Sequence, residues 1–93
     1  MVYIPQSING ASVLQYAVRS SPEGYGVIQS EKEGPSVVST IAICRYAQDD
    51  SINVFLCNSS FKVLKDYNFS SIEDAIEFVV DEFSVKNWNS FNK

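Results

Sequence analysis

Short runs of alternating apolar and polar residues fill the first two thirds of the chain, and helical spacing replaces them after residue 70. Residues 12–19, SVLQYAVR, set Val13, Gln15, Ala17 and Arg19 against Leu14, Tyr16 and Val18, which predicts a short strand. Helical spacing from Val13 to Ala17 is the competing reading there. A Ser-Pro-Glu-Gly turn follows, and residues 25–29 form a second strand candidate. Residues 30–36 are polar and contain Gly34-Pro35, so they read as a loop. Residues 37–46, VVSTIAICRY, predict a central strand, with Ile41, Ile43 and Arg45 opposing Ala42, Cys44 and Tyr46. Apolar residues on both of its faces fit a strand with a helix on one side and partial cover on the other.

Residues 47–51 read as a hairpin connection. The next strand, residues 52–57, places Phe55 and Cys57 on one face and Val54 and Leu56 on the other. Asn58-Ser59-Ser60 turns the chain, and residues 61–67 predict another strand, with Phe61, Val63 and Tyr67 opposing Leu64. This spacing suggests an antiparallel meander. Residues 1–10 read as an irregular lead-in, limited by Pro5 and ending in the turn signal Asn9-Gly10.

The helix is predicted to start at Ser70, with Glu73 three residues on in capping-box spacing. Its apolar stripe is Ile72, Ala75, Ile76, Val79, Val80 and Phe83. Phe78 lies off that stripe and either covers the sheet edge or faces a partner. In the tail, Trp88 and Phe91 fold back on the core or anchor a dimer. The fold class expected is α+β: an antiparallel sheet of four to five strands with one C-terminal amphipathic helix packed across it. Ninety-three residues fit one domain, residues 1–93, with a modest core.

Composition narrows the function classes. The chain is 45% hydrophobic, which argues against disorder. A formal charge of -4 argues against a nucleic-acid binder and suits a basic protein partner, although mild acidity also serves solubility alone. Histidine is absent, which removes Ser-His-Asp and Cys-His catalysis and the usual zinc and haem ligands. There is no glycine-rich phosphate loop, so no cofactor or metal is expected. Cys44 and Cys57 sit in apolar runs and read as small hydrophobes, with a disulfide as the alternative. Asn58-Ser59-Ser60 and Asn68-Phe69-Ser70 match glycosylation acceptors, which carry weight only with a secretory signal. The first residues lack a basic region before an apolar core, and no run approaches membrane-spanning length, so a cytoplasmic location is expected.

The carboxylates are the remaining chemistry. Glu73, Glu77 and Asp81 recur every four residues, with Asp74 beside them and Glu82 following, and the helix carries no base. Like charges at this spacing repel by roughly 0.2–0.5 kcal/mol per pair. A solvated face is the simplest reading, docking to a basic protein is the functional one, and acid/base catalysis is the least supported. Asp49, Asp50, Asp66 and Arg45 read as turn or strand residues with structural roles.

Residues 52–83 combine an aromatic strand ending in Cys (Phe55, Cys57), a short turn, a strand ending in Asp (Phe61, Val63, Asp66) and a helix built as Ser71, Ile72, Glu73 and Ala75, closing with Glu82 and Phe83. This stretch resembles a group of small bacterial immunity-like proteins, and Val13–Ala17 resembles the group's early segment. The chain departs from the group at Phe61, where Trp is frequent, and at Asn58, where an acid is usual. The resemblance implies a non-enzymatic inhibitor that silences a cognate toxin by direct binding. On this reading Glu73, Asp74, Glu77, Asp81 and Glu82 attract a basic toxin, while Phe78, Trp88 or Phe91 anchor it. The competing expectation is a self-associating structural domain, a homodimer joined through an uncovered strand edge or the Trp88/Phe91 tail.

Overall fold

Six consecutive buried residues, Ile52–Cys57, run through the middle of the sheet. The computed structural model of the chain describes residues 5–19, 21–32, 34–85 and 88–90. Along them lie β1 (Ser7–Ile8), β2 (Ala11–Val18), β3 (Val27–Ser30), β4 (Gly34–Val37), β5 (Thr40–Arg45), β6 (Ile52–Cys57), β7 (Val63–Phe69), α1 (Ile72–Phe83) and β8 (Asn89–Ser90). The main sheet has the order β1-β2-β5-β6-β7, antiparallel throughout, and β8 joins the β2 edge. The α+β fold expected from the sequence is therefore the fold observed: a five-strand antiparallel sheet with one C-terminal helix against it.

Each sheet face holds its own apolar cluster. On the helix side, Ile41, Ile43, Val54 and Leu56 gather with Ala75 and Val79 of α1. On the other side, Ala42, Cys44, Phe55 and Cys57 gather with Ile8, Ala11 and Val13. The face assignments read from β5 and β6 hold. That for β2 does not hold along its whole length. Val13 pairs with Cys44 and Gln15 with Ile43, so Leu14 is an extra residue. This bulge resets the alternation, and Val13 and Ala17 join opposite clusters instead of sharing a face. A second bulge inserts Leu64 into β7, between Val63 and Lys65.

Further boundaries differ from the sequence reading: the strand expected over residues 37–46 is confined to Thr40–Arg45, with Val37 in β4. The lead-in ends in a strand: Asn9 and Gly10, at φ 53° and 84°, close the two-residue turn that pairs Ile8 with Ala11. The polar stretch 30–36 is not a loop throughout, because Gly34–Val37 pairs with Val27–Ser30 as a separate hairpin. Pro35 has no N–H to donate, which an edge strand tolerates. Tyr25 N–H to Val38 O (2.8 Å) closes the base of this hairpin, and Ser39 N–H to Cys57 O (2.9 Å) ties it to the sheet. Gly24 sits at that junction with φ 53°, and a Cβ there would collide with the Val38 carbonyl. Finally, β7 starts at Val63 rather than Phe61, since Phe61 takes a left-handed conformation (φ 63°) in the turn. Asn58 braces that turn by accepting from the Ser60 and Lys62 amides at 2.9 and 3.0 Å.

The helix cap lies one residue later than expected. Ser71, not Ser70, is extended (φ -147°), and its hydroxyl accepts from the Asp74 amide at 3.1 Å. Helical pitch then turns Ala75 and Val79 into the core. Val80 was expected in the apolar stripe but is 42% exposed. At about 100° per residue it lies only about 20° around the helix from Glu73. The helix ends at Ser84, which is left-handed (φ 58°, ψ 36°) and donates its N–H to Val80 O. A Cβ in that conformation costs about 1–2 kcal/mol, which glycine avoids at some cost in unfolded-state entropy. Ser84→Gly is therefore expected to stabilise the fold by about 0.5–1 kcal/mol and raise the melting temperature by about 2–8 °C. A lower melting temperature on thermal denaturation would contradict this account of the cap.

Candidate protein-docking face

The outward side of α1 is a continuous row of carboxylates. Glu73, Asp74, Glu77, Asp81 and Glu82 are all exposed. Four of them form the row opposite the buried stripe, and Glu82 lies on its flank by helical pitch. Local structure accounts for only the first turn. Glu73 and Asp74 lie in the first turn, where the helix dipole makes negative charge favourable. Asp74 also accepts from the Ser70 hydroxyl at 3.5 Å.

The last turn is arranged against its own electrostatics. Asp81 and Glu82 sit where exposed carbonyls favour cations, and no basic residue occupies that turn. Glu77 adds like-charge repulsion to both Glu73 and Asp81. None of the five carboxylates pairs with a cation among the described residues. Val80, the exposed apolar side chain, borders this row. Sequence reading placed it in the core stripe; its position next to Glu73 on the helical projection is the signal that could have found it.

The two aromatic candidates face inward. Phe78 lies 4.7 Å from Tyr67 and 5.1 Å from Phe69, ring centre to ring centre, and 6.2 Å edge-on from Phe83. Of the two roles open to it, covering the sheet edge is the one observed, because Tyr67 and Phe69 belong to β7. Such pairs contribute about 0.5–1.5 kcal/mol beyond buried area, so Phe78 fixes the helix on the sheet. Trp88 packs half-buried against the helix-side cluster, which is folding back on the core. Phe91 lies outside the described residues. The carboxylate row is thus presented together, while Phe78 and Trp88 serve the core instead of standing out beside it.

Other chemistry is sparse. Asp49 accepts from the Ser51 amide and hydroxyl, both at 2.9 Å, and these bonds hold its carboxyl below the usual value. Asp66 and Arg45 are exposed strand residues. Asn68 donates to Ser51 (2.9 Å) and Asn53 (3.1 Å), linking the ends of β6 and β7. Among the described residues no three potential ligands converge on a metal position, and no helix is long and apolar enough to cross a membrane. No family model matches the chain, and neither a curated protein nor a solved structure gives a significant match. The likeness to immunity-like proteins rests on the residues quoted for it alone.

Cys44 and Cys57 are free, buried thiols. Cys44 pairs with Asn53 and Cys57 with Thr40, so the two cysteines stand four ladder positions apart. That exceeds disulfide reach, and the disulfide alternative is not realised. Burial, and secondarily the charge of a Cys57 thiolate, pushes the Cys44 thiol up to about 12; burial pushes Cys57 up to about 11. Neutral buried thiols are poor nucleophiles. The folded state holds these protons more tightly than the unfolded chain, whose thiols titrate near 9.0. Their contribution is therefore fully present below that pH and is lost as pH rises toward about 11 and about 12. The urea midpoint should fall as pH is raised from about 8 to about 10, and fall less in a Cys44→Ala/Cys57→Ala variant. Thiol reagents should label the native protein only on unfolding. Rapid labelling of the native state would show that the thiols are accessible.

Proposed function

We propose that this chain is a small protein-binding domain that docks a basic protein through the outward face of α1. In keeping with the resemblance to immunity-like proteins, the partner is a toxin that it silences by direct binding. The observation that carries this reading is the carboxylate row, which no cation among the described residues neutralises, continued through Asp81 and Glu82 into the helix end that disfavours it. A solvated face needs polarity, and mixed charges would supply it at lower cost. A row of one sign gives long-range attraction for an oppositely charged surface and speeds encounter. The same row repels nucleic acid, whose backbone is anionic. Val80 adds a small apolar contact within the row.

Binding without catalysis is the reading favoured by thiols held protonated and by carboxylates spread along an open helix face. The cytoplasm is the proposed location, a reducing compartment in which free thiols such as Cys44 and Cys57 persist. Self-association has weaker support. The open edge of β7 carries a bulge at Leu64 and the exposed charges Lys65 and Asp66, features that discourage strand pairing.

Glu73→Lys/Glu77→Lys/Asp81→Lys should retain the fold, since all three side chains are exposed. Wild-type protein is expected to recover a basic protein from its host lysate supplemented with neighbouring gene products. The variant should lose at least about tenfold in affinity, or about 1.4 kcal/mol. Retained affinity in the folded variant would sink the helix-face assignment. Failure of the wild type to retain any basic protein from a lysate known to contain the candidate toxin would sink the pairing itself.

A further inference from the structure

We infer that Asn9 is a site of spontaneous covalent modification, in which the Gly10 amide nitrogen attacks the Asn9 side-chain carbonyl and converts it, through a succinimide, to aspartate or isoaspartate. Of the four glycines in the chain, only Gly10 follows an asparagine. Glycine offers the attacking nitrogen with no side chain in the way. Both residues are exposed at the tip of the β1–β2 hairpin. The ladder pairs Ile8 with Ala11, and the Gly10 N–H makes no backbone hydrogen bond among the described residues. The nucleophile is therefore not tied into the sheet.

In the reaction, a bond forms between Gly10 N and Asn9 Cγ, and the Cγ–Nδ2 bond breaks. The Gly10 amide proton leaves with the departing nitrogen as ammonia. One solvent water then opens the ring at either carbonyl. The turn conformation, with Asn9 at φ 53°, must relax before the ring can close. The strand β1 has only two residues, and short terminal strands open locally at low cost.

The two products differ in their effect on the fold. Aspartate keeps the main chain, and Asp-Gly also suits this turn. Isoaspartate adds a carbon to the main chain inside a two-residue turn, so Ile8 and Ala11 lose their register. Ile8 is 4% exposed and belongs to the second cluster, so losing register withdraws a core side chain.

The test is to incubate the folded chain at mildly alkaline pH, with a second sample unfolded in guanidinium chloride as the clock. Peptide mapping by mass spectrometry, with isoaspartyl methyltransferase labelling, locates the product. The expected result is conversion at residue 9 before any other asparagine, slower when folded than when unfolded. None is expected at that position in Asn9→Gly, which keeps a turn-compatible residue. The isoaspartate form should melt below an Asn9→Asp variant. The proposal is overturned if residue 9 stays intact in the folded chain until the unfolded clock is complete, or if another asparagine converts first. Equal melting of the isoaspartate form and Asn9→Asp would overturn the structural consequence.

Discussion

The pairing of β5 with β6 is the constraint from which the rest follows. Ile41 stands opposite Leu56 and Ile43 opposite Val54 on the helix face, while Ala42 stands opposite Phe55 on the other. Both faces are apolar, so polarity does not choose between them. Side-chain volume does. The helix face carries five branched aliphatic residues, Ile52 beside these four, and the other mixes Phe55 with Ala42, Cys44 and Cys57. A slip of one residue would exchange these sets. It would put Ala42 and Cys44 beneath α1, leaving voids where Ile41 and Ile43 now fill the space.

The helix answers that constraint on one side and is released from it on the other. Ala75 and Val79 enter the cluster, and Phe78 closes over Tyr67 and Phe69 at the sheet edge. Once these contacts fix the rotation of α1, the positions of Glu73, Glu77 and Asp81 are fixed as well. Their row is a consequence of the packing, but its single sign is not. Lysine at Glu77 or Asp81 would leave the core unchanged and relieve repulsion. This separation between what the fold demands and what the surface displays is the basis for reading the face as functional.

The alternation in β5 and β6 was legible because neither strand is interrupted, so a period of two holds from end to end. In β2 the same logic failed at Leu14, since a bulge depends on the partner strand and leaves no composition signature. The cap was misplaced by one residue because Ser70…Glu73 and Ser71…Asp74 present the same spacing twice. The pairing of β3 with β4 was hidden by Gly34-Pro35, which signals a turn locally but is tolerated in an edge strand. The carboxylate row was legible from spacing alone. The inward placement of Phe78 and Trp88 was not, because it depends on β7 and on the chain's return to the sheet.

On the proposed function the helix carboxylates repel one another, with no cation among the described residues to relieve them, and so stay available to a cationic surface. Salt bears on this most directly, because screening removes repulsion between exposed charges and weakens exposed ion pairs. Unfolding free energy should be measured as sodium chloride is raised from about 10 mM to about 150 mM, where the screening length falls from about 30 Å to about 8 Å. Stability is expected to rise over this range, as screening relieves the repulsion. A fall in stability would mean that the face is already neutralised by cations of the chain itself, and would contradict the proposal.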